Sequence, residues 1–331
     1  MNNRIRKAGG RGLVWLALAI GVSSPLVVAQ ESAEALGILQ RMLKATHDLS
    51  YVGVLVYQQG AVSETARLAR LFERGSARER MEILDGAPRE LFLANDQIEC
   101  YLPQFHRVTV EQVLPGRSLL PILPASADVA AWYRVRKDGT ARIAGRESDT
   151  ILLEPRDGFR YAQRYWVDRA TGMLLKAQTI DDQQAILEQF VFTQMQIGGV
   201  LAPSLLRQGY ALSRLGSDWR IDRAGIRVNA LDDGNWRLSA IPPGYRKTME
   251  VLRGMSHNAR VGQIVVSDGV AAVSVFIEPA RADVTTDPTG VSRSGAFHVF
   301  KRRVDDFVVT AVGEAPALSI QTIAEGVILR R

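Results

Sequence analysis

Between residues 50 and 197 the chain repeats one pattern: a short run of apolar and β-branched residues, then a turn. Runs at 50–58, 64–74, 78–84, 89–94, 97–102 and 106–110 are punctuated by pairs such as Asp85-Gly86 and Asn95-Asp96, residues that tolerate the backbone of a reversal. Further runs at 141–145, 150–154, 159–167, 173–180 and 186–197 follow, with Asp168-Arg169-Ala170-Thr171-Gly172 as a hairpin loop. Sequential strands with short turns pair as a meander, and a long meander curls into a barrel or half-barrel. In the first run Tyr51, Leu55 and Tyr57 share one face and Val52, Val54 and Val56 the other, so this strand is expected to be covered on both sides. In the last run Phe190 and Phe192 share one face, Val191, Met195 and Ile197 the other. A helix capped by Ser32 and running to about His47 carries an apolar stripe of Leu36, Leu39, Met42 and Leu43 and supplies a cover.

After Gly198-Gly199 and Pro203 the pattern changes. Residues 206–218 read as a connector, and a smaller unit follows. Trp236–Ile241 is an expected strand, and Gln263–Val266 with Val270–Ile277 form a hairpin around Ser267-Asp268-Gly269. Ala296–Arg302 and Phe307–Val312 form another, turning at Val304-Asp305-Asp306. Pro316 then opens a helix with Ile320, Ile323, Ala324, Val327 and Ile328 at helical spacing. The organisation expected is 1–29 export signal, 30–205 first domain, 206–218 linker and 219–331 second domain. Apolar residues set among Pro115, Pro121 and Pro124 (Leu119-Leu120 and Ile122-Leu123) are unusual for a loop; they plug something hydrophobic, or pack on their own core.

The first residues fit export. Arg4, Arg6, Lys7 and Arg11 precede the apolar run Leu13–Val22, and Val27-Val28-Ala29 offers small residues for a signal peptidase. Leu13–Val28 is broken by Pro25 and falls short of the ~20 apolar residues needed to span a bilayer. Cleavage after Ala29 and a soluble periplasmic protein are expected. Loss of those four basic residues takes the formal charge from +6 to +2, and no concentrated basic face calls for nucleic acid. Cys100 is the single cysteine, so no internal disulfide can form, and it reads as a buried small hydrophobe.

The residues present no catalytic constellation. His47, His106, His257 and His298 are scattered without zinc-ligand spacing, and no nucleophile elbow or phosphate-binding glycine loop occurs. Gly290-Val-Ser-Arg-Ser-Gly295 sits near Asp283, Asp287 and Pro288 and reads as a flexible loop. The pairs Asp181-Asp182, Asp232-Asp233 and Asp305-Asp306 fall in expected turns. No enzyme activity, cofactor or metal is expected. What remains is an aromatic and aliphatic surplus. Tyr51, Leu55, Tyr57, Phe72, Phe92, Tyr101, Tyr165, Phe190 and Phe192 are the candidates for lining a cavity, should the curled sheet be wider than its helices.

Five segments carry a resemblance. They are Tyr51-Val-Gly-Val-Leu-Val-Tyr57, Tyr165-Trp-Val-Asp-Arg-Ala-Thr-Gly-Met-Leu-Leu-Lys176, Ser267-Asp-Gly-Val-Ala-Ala-Val-Ser-Val-Phe-Ile-Glu-Pro279, Ser294-Gly-Ala-Phe297 and Val308-Val-Thr-Ala-Val-Gly-Glu-Ala-Pro316. With them the chain resembles the MucB/RseB family of periplasmic regulators of the sigma-E-type envelope-stress response. The resemblance implies an α+β, β-rich fold: a LolA/LolB-like unclosed β-barrel with helices in its mouth, plus a smaller C-terminal sheet-and-helix domain. It further implies binding to the periplasmic segment of a transmembrane anti-sigma factor, shielding that segment from site-1 proteolysis, and release by lipid or lipopolysaccharide acyl chains. It assigns no individual partner-binding residues, and a homo-oligomer stays open. A periplasmic lipid or lipoprotein carrier is the alternative, since the first domain alone would suit one; a hydrolase with dispersed residues is the third reading.

Overall fold

The computed structural model describes residues 25–113, 117–120, 129–224, 226–227, 236–254, 260–280, 289–294 and 296–329. Outside these lie residues 1–24 of the expected export signal, Pro115, residues 121–124, Asp232-Asp233, His257, Asp283, Asp287, Pro288 and Gly295.

Helix α1 (Pro25–Asp48) leads into β1 (Tyr51–Gln59), β2 (Val62–Glu73), β3 (Ser76–Ile83), β4 (Glu90–Ala94), β5 (Gln97–Leu102) and β6 (Arg107–Gln112). The short α2 (Val129–Trp132) precedes β7 (Tyr133–Ile143), β8 (Arg146–Pro155), β9 (Ala162–Asp168), β10 (Leu174–Ile180) and β11 (Ile186–Ile197). With β12 (Arg220–Ala224) these form a 12-stranded sheet in the order β12-β6-β5-β4-β3-β2-β1-β11-β10-β9-β8-β7. It is two meanders joined where β1 pairs antiparallel with β11. Its end strands, β12 and β7, do not pair with each other, so the sheet stays unclosed. The connector passes through short helical turns and then pairs as β12 parallel to β6, covering that edge.

Packing follows the faces legible in the strands. On α1 the residues Ala35, Ile38, Leu39, Met42 and Leu43 recur at helical spacing and are buried against Tyr51, Leu55, Leu68, Tyr165, Phe190 and Phe192. Fully burying one such side chain contributes roughly 1.5–3 kcal/mol. At the seam Leu55 faces Phe192 and Tyr57 faces Phe190, with the register shifting between Val54 and Leu55. Gly53 belongs to this shift: a Cβ there would stand 2.6 Å from the Gln194 carbonyl oxygen and 2.7 Å from the Phe192 ring. Leu120 joins the same core. Its segment is held by Glu79, which accepts hydrogen bonds from Ser118 Oγ (3.0 Å) and the Leu119 amide (2.6 Å) while paired with Arg70 in a buried ion pair.

The second unit contains β13 (Ile226–Arg227), β14 (Trp236–Leu238), β15 (Arg246–Gly254), β16 (Arg260–Ser267), β17 (Ala272–Pro279), β18 (Gly290–Ser294), β19 (Phe297–Val304), β20 (Phe307–Gly313), α3 (Ala317–Glu325) and β21 (Val327–Leu329). Seven of the strands form a sheet in the order β13-β15-β16-β17-β20-β19-β18, and β14 pairs with β21. Helix α3 packs on β19 and β20 through Ile320, Ile323 and Ala324.

Four local expectations change. Helix α1 begins at Pro25, ahead of Ser32, because proline suits a first helical turn and nothing in 26–31 breaks a helix. Strand β7 starts at Tyr133 and not near 141. Residues 290–294, read as a flexible loop, form β18 and pair with β19 from Gly290–Lys301 to Ser294–Phe297. The last helix ends at Glu325; Gly326 lets the Ala240 carbonyl come close, and Val327–Leu329 becomes a strand against β14. Over three residues a helical stripe and a strand cannot be told apart by spacing.

Candidate functional site: the cleft between the two sheets

A buried ion pair stands where the two sheets meet. Arg160, in the loop between β8 and β9, has no solvent exposure, and neither has its partner Asp268, from the turn between β16 and β17. Arg160 Nε donates to Asp268 Oδ2 at 2.6 Å, and its terminal nitrogens donate to Asp157 and to the Pro243 carbonyl. The guanidinium lies 4.9 Å from the Trp132 ring centre and 5.0 Å from that of Tyr245, an arrangement that suits its planar, weakly hydrated cation. Asp268 is held by the Val270 and Ala271 amides, each donating to Oδ1 at 2.8 Å. From the other side, Tyr245 Oη and Ser319 Oγ donate to the Phe159 carbonyl at 3.1 and 2.6 Å.

Two cavities flank this junction. One, of about 370 Å3, lies between β1, β9, β10 and β11 on one side and β17, β19 and β20 on the other. Its walls include Tyr165, Phe190, Phe276 and Phe297, and its polar groups include Tyr57, Gln178, Glu188 and Glu314. Tyr57 Oη donates to Glu188 Oε2 at 2.9 Å and Thr179 Oγ1 to Glu188 Oε1 at 3.0 Å. Burial first, then the neighbouring Glu188 charge, pushes the Glu314 carboxyl up to about 7.

The other cavity, of about 790 Å3, is lined by charged residues of both signs, among them Arg134, Arg156, Asp181, Asp182 and Arg293, together with His298. His298 Nδ1 stands 3.0 Å from the Ala315 carbonyl and 3.3 Å from the Tyr161 hydroxyl. The carbonyl can only accept, so the Nδ1 carries the proton. Burial pushes this imidazole down.

The nine candidate cavity residues separate into groups. Tyr51, Leu55, Tyr165, Phe190 and Phe192 are buried in one core under α1, with Tyr57 half-buried against it. Tyr57, Tyr165 and Phe190 also line the smaller cavity. The other three lie elsewhere. Phe72 and Phe92 are half-buried on β2 and β4, and Phe72 has the Arg70 guanidinium 6.0 Å from its ring centre. Tyr101 belongs to a cluster with Val108, Val110, Tyr210 and Trp219 that ties the connector to β5 and β6.

Of the histidines, His106 Nδ1 lies 2.9 Å from Asp218 on the surface and His298 sits at the junction. Cys100 is half-buried and its thiol is pushed up by burial. No group of three or more His, Cys, Asp or Glu among the described residues is placed to hold a metal ion.

Reading the sequence did not single out Arg160, Glu188 or Glu314 and took Asp268 only for a turn residue. Glu188 and Glu314 are polar positions in or beside apolar strands, and only pairing across the cleft distinguishes them.

The N-terminal domain of MucB/RseB matches residues 34–210, and the MucB/RseB C-terminal domain matches residues 230–328. The sigma factor AlgU regulatory protein MucB of Pseudomonas aeruginosa is 30% identical over 305 residues, covering 90% of this chain and 92% of that protein. The sigma-E factor regulatory protein RseB of Escherichia coli K12 is 25% identical over 325 residues, covering 95% and 97%. Among solved structures, the Pseudomonas aeruginosa MucA/MucB complex aligns with a TM-score of 0.70 at 27% identity, covering 90% of this chain and 99% of that one. MucB in complex with MucA(peri) aligns with a TM-score of 0.68 at 26% identity, covering 91% and 99%.

Proposed function

This chain belongs to the MucB/RseB family, and on that premise we propose that it is a periplasmic negative regulator of an envelope-stress sigma factor. It holds the periplasmic region of a membrane-spanning anti-sigma factor and keeps that region from the first proteolytic cut. The observation that carries this reading is the match, over nine-tenths of the chain, to MucB in solved complexes with MucA. The cleft between the sheets is where we place the partner, since clefts between domains commonly form such sites. The work is binding and not catalysis. The chain is exported, cut after Ala29, and works as a first domain from residue 30, a connector from 206 that adds β12 (Arg220–Ala224) to the first sheet, and a smaller second domain after it.

Lipid acts as the release signal. Each buried methylene of an acyl chain contributes ~0.8 kcal/mol, so a dozen supply roughly 10 kcal/mol before ordering and association are charged against them. Such a ligand displaces the partner if it binds the released state better than the partnered one. The face offered to it is that of Tyr51, Leu55, Tyr57, Tyr165, Phe190 and Phe192, now occupied by α1 and Leu120. An acyl chain entering there has to move one of them.

The test mixes the purified protein with the periplasmic region of the anti-sigma factor from the same organism and follows site-1 cleavage. The expected result is a stable complex cut at least tenfold more slowly than the free region. Equal cleavage rates with and without the protein overturn the regulatory reading.

A further inference from the structure

The smaller cavity has a composition that none of the comparisons assigns. Its walls are apolar and aromatic, from Tyr165 and Phe190 on one sheet and Phe276 and Phe297 on the other, while two carboxylates, Glu188 and Glu314, face it from opposite sheets. Among the described residues the other charged group lining it is Arg117, which is exposed. The facing tyrosines, Tyr57 and Tyr165, have their hydroxyls pushed well above the ordinary tyrosine range and stay neutral. The remaining polar lining, Gln163, Gln178, Thr179, Gln189 and Ser274, is uncharged.

Glu188 has both oxygens engaged by donors, Tyr57 Oη at 2.9 Å and Thr179 Oγ1 at 3.0 Å. Glu314, from the other sheet, adds a second carboxyl beside it. A second carboxylate beside the first in a partly buried cavity favours a proton on one of them when no cation is present. In the free protein the counter-charge is a proton on Glu314, whose carboxyl titrates near 7.

We propose that the cavity receives one lysine or arginine side chain of an extended peptide partner, its stem against the aromatic walls and its cationic head between Glu188 and Glu314. Other ligand classes fit less well. An acyl chain has nothing to offer two carboxylates, and burying it there leaves a charge unpaired. A divalent ion finds only two carboxylates, with no third His, Cys, Asp or Glu among the described residues placed to complete a site. A volume of about 370 Å3 lies at the low end of ligand pockets, about 300–1,000 Å3, which suits one side chain and a few waters. Lysine and arginine carry both an apolar stem and a charged head, matching walls and floor together. The proposal rests on the reading of this chain as the holder of an anti-sigma segment and names the anchor by which that segment is held.

The test uses the intact purified protein and two synthetic peptides, Gly-Ser-Leu-Lys-Leu-Ser-Gly and its twin with glutamine at the centre, both blocked at their ends. The lysine peptide is expected to bind at least tenfold more tightly at pH 8. Its advantage shrinks about tenfold per pH unit below 7, because the cation has to displace the Glu314 proton. Glu314→Gln, which keeps the shape of the protonated acid, and Glu188→Gln are each expected to abolish the preference and its pH dependence. Equal binding of the two peptides, or a preference that survives both substitutions, overturns the proposal. Anti-sigma capture that persists beside equal peptide binding removes the anchor alone. A lysine preference without anti-sigma capture removes the regulatory reading and leaves the cation site.

Discussion

Arg160 and Asp268 are both without solvent exposure, and Arg160 also pairs with Asp157. Removing one member of such a pair leaves the other buried and uncompensated, at a cost of about 3–5 kcal/mol. Arg160→Met is therefore expected to lower stability by that amount in urea unfolding, and the double variant with Asp268→Asn to recover part of it. A loss below about 1 kcal/mol in the single variant would show that water reaches the junction. Gly53 is constrained by space: its missing Cβ is what lets the Phe192 ring and the Gln194 carbonyl approach. Gly53→Ala should cost about 1–3 kcal/mol through overpacking, read as a lower urea midpoint with unchanged slope. The glycine is visible in Tyr51-Val-Gly-Val as a lapse in an apolar strand, but the ring it accommodates arrives from a strand about 140 residues later.

At the scale of elements, the strands of the first meander lie where the turn residues put them, because alternation and reversal are both local. The difficulties came at ends and edges. Strand β18 has little apolar character of its own and owes its conformation to pairing with β19. Strand β12 owes its own to the exposed edge of β6. Leu119-Leu120 could be read as a plug or as a loop on its own core. The structure puts Leu120 in the core beside α1 and its segment in the grip of Glu79. Leu120→Ala should cost about 2–5 kcal/mol and open space on the face offered to acyl chains. If that face takes lipid, uptake of a fluorescent fatty acid rises in this variant. Unchanged uptake in a variant that stays folded would place the lipid site elsewhere.

The whole molecule is joined across an interface that holds two groups titrating in opposite senses. The Glu314 carboxyl is raised in the folded protein to about 7, so its contribution is complete at low pH and lost as pH climbs through about 7. The His298 imidazole is pushed down by burial, so its contribution is complete above its ordinary value of about 6.5 and lost as pH falls below it. Opening free energies at β17, β19 and β20, from hydrogen exchange corrected for its intrinsic pH dependence, should show each limb in a single variant. With His298→Phe they fall as pH climbs from about 4.5 to about 7 through Glu314, and with Glu314→Gln they fall as pH drops below about 6.5 through His298. Opening free energies that stay constant with pH in both variants would mean that neither group feels the interface.

Local alternation, turn chemistry and two amphipathic helices were enough to indicate a meander curled into a barrel or half-barrel under a helix, with a smaller sheet-and-helix unit after it; that the barrel is unclosed was what the family resemblance implied. These features depend on residues within a few positions of one another. The cleft was another matter. Arg160 with Asp268 and Glu188 with Glu314 are separated by 108 and 126 positions in the chain, and each looks ordinary where it stands. Only the docking of the two sheets removes water from between them, and it is that loss of water which turns ordinary surface charges into a lock and a site.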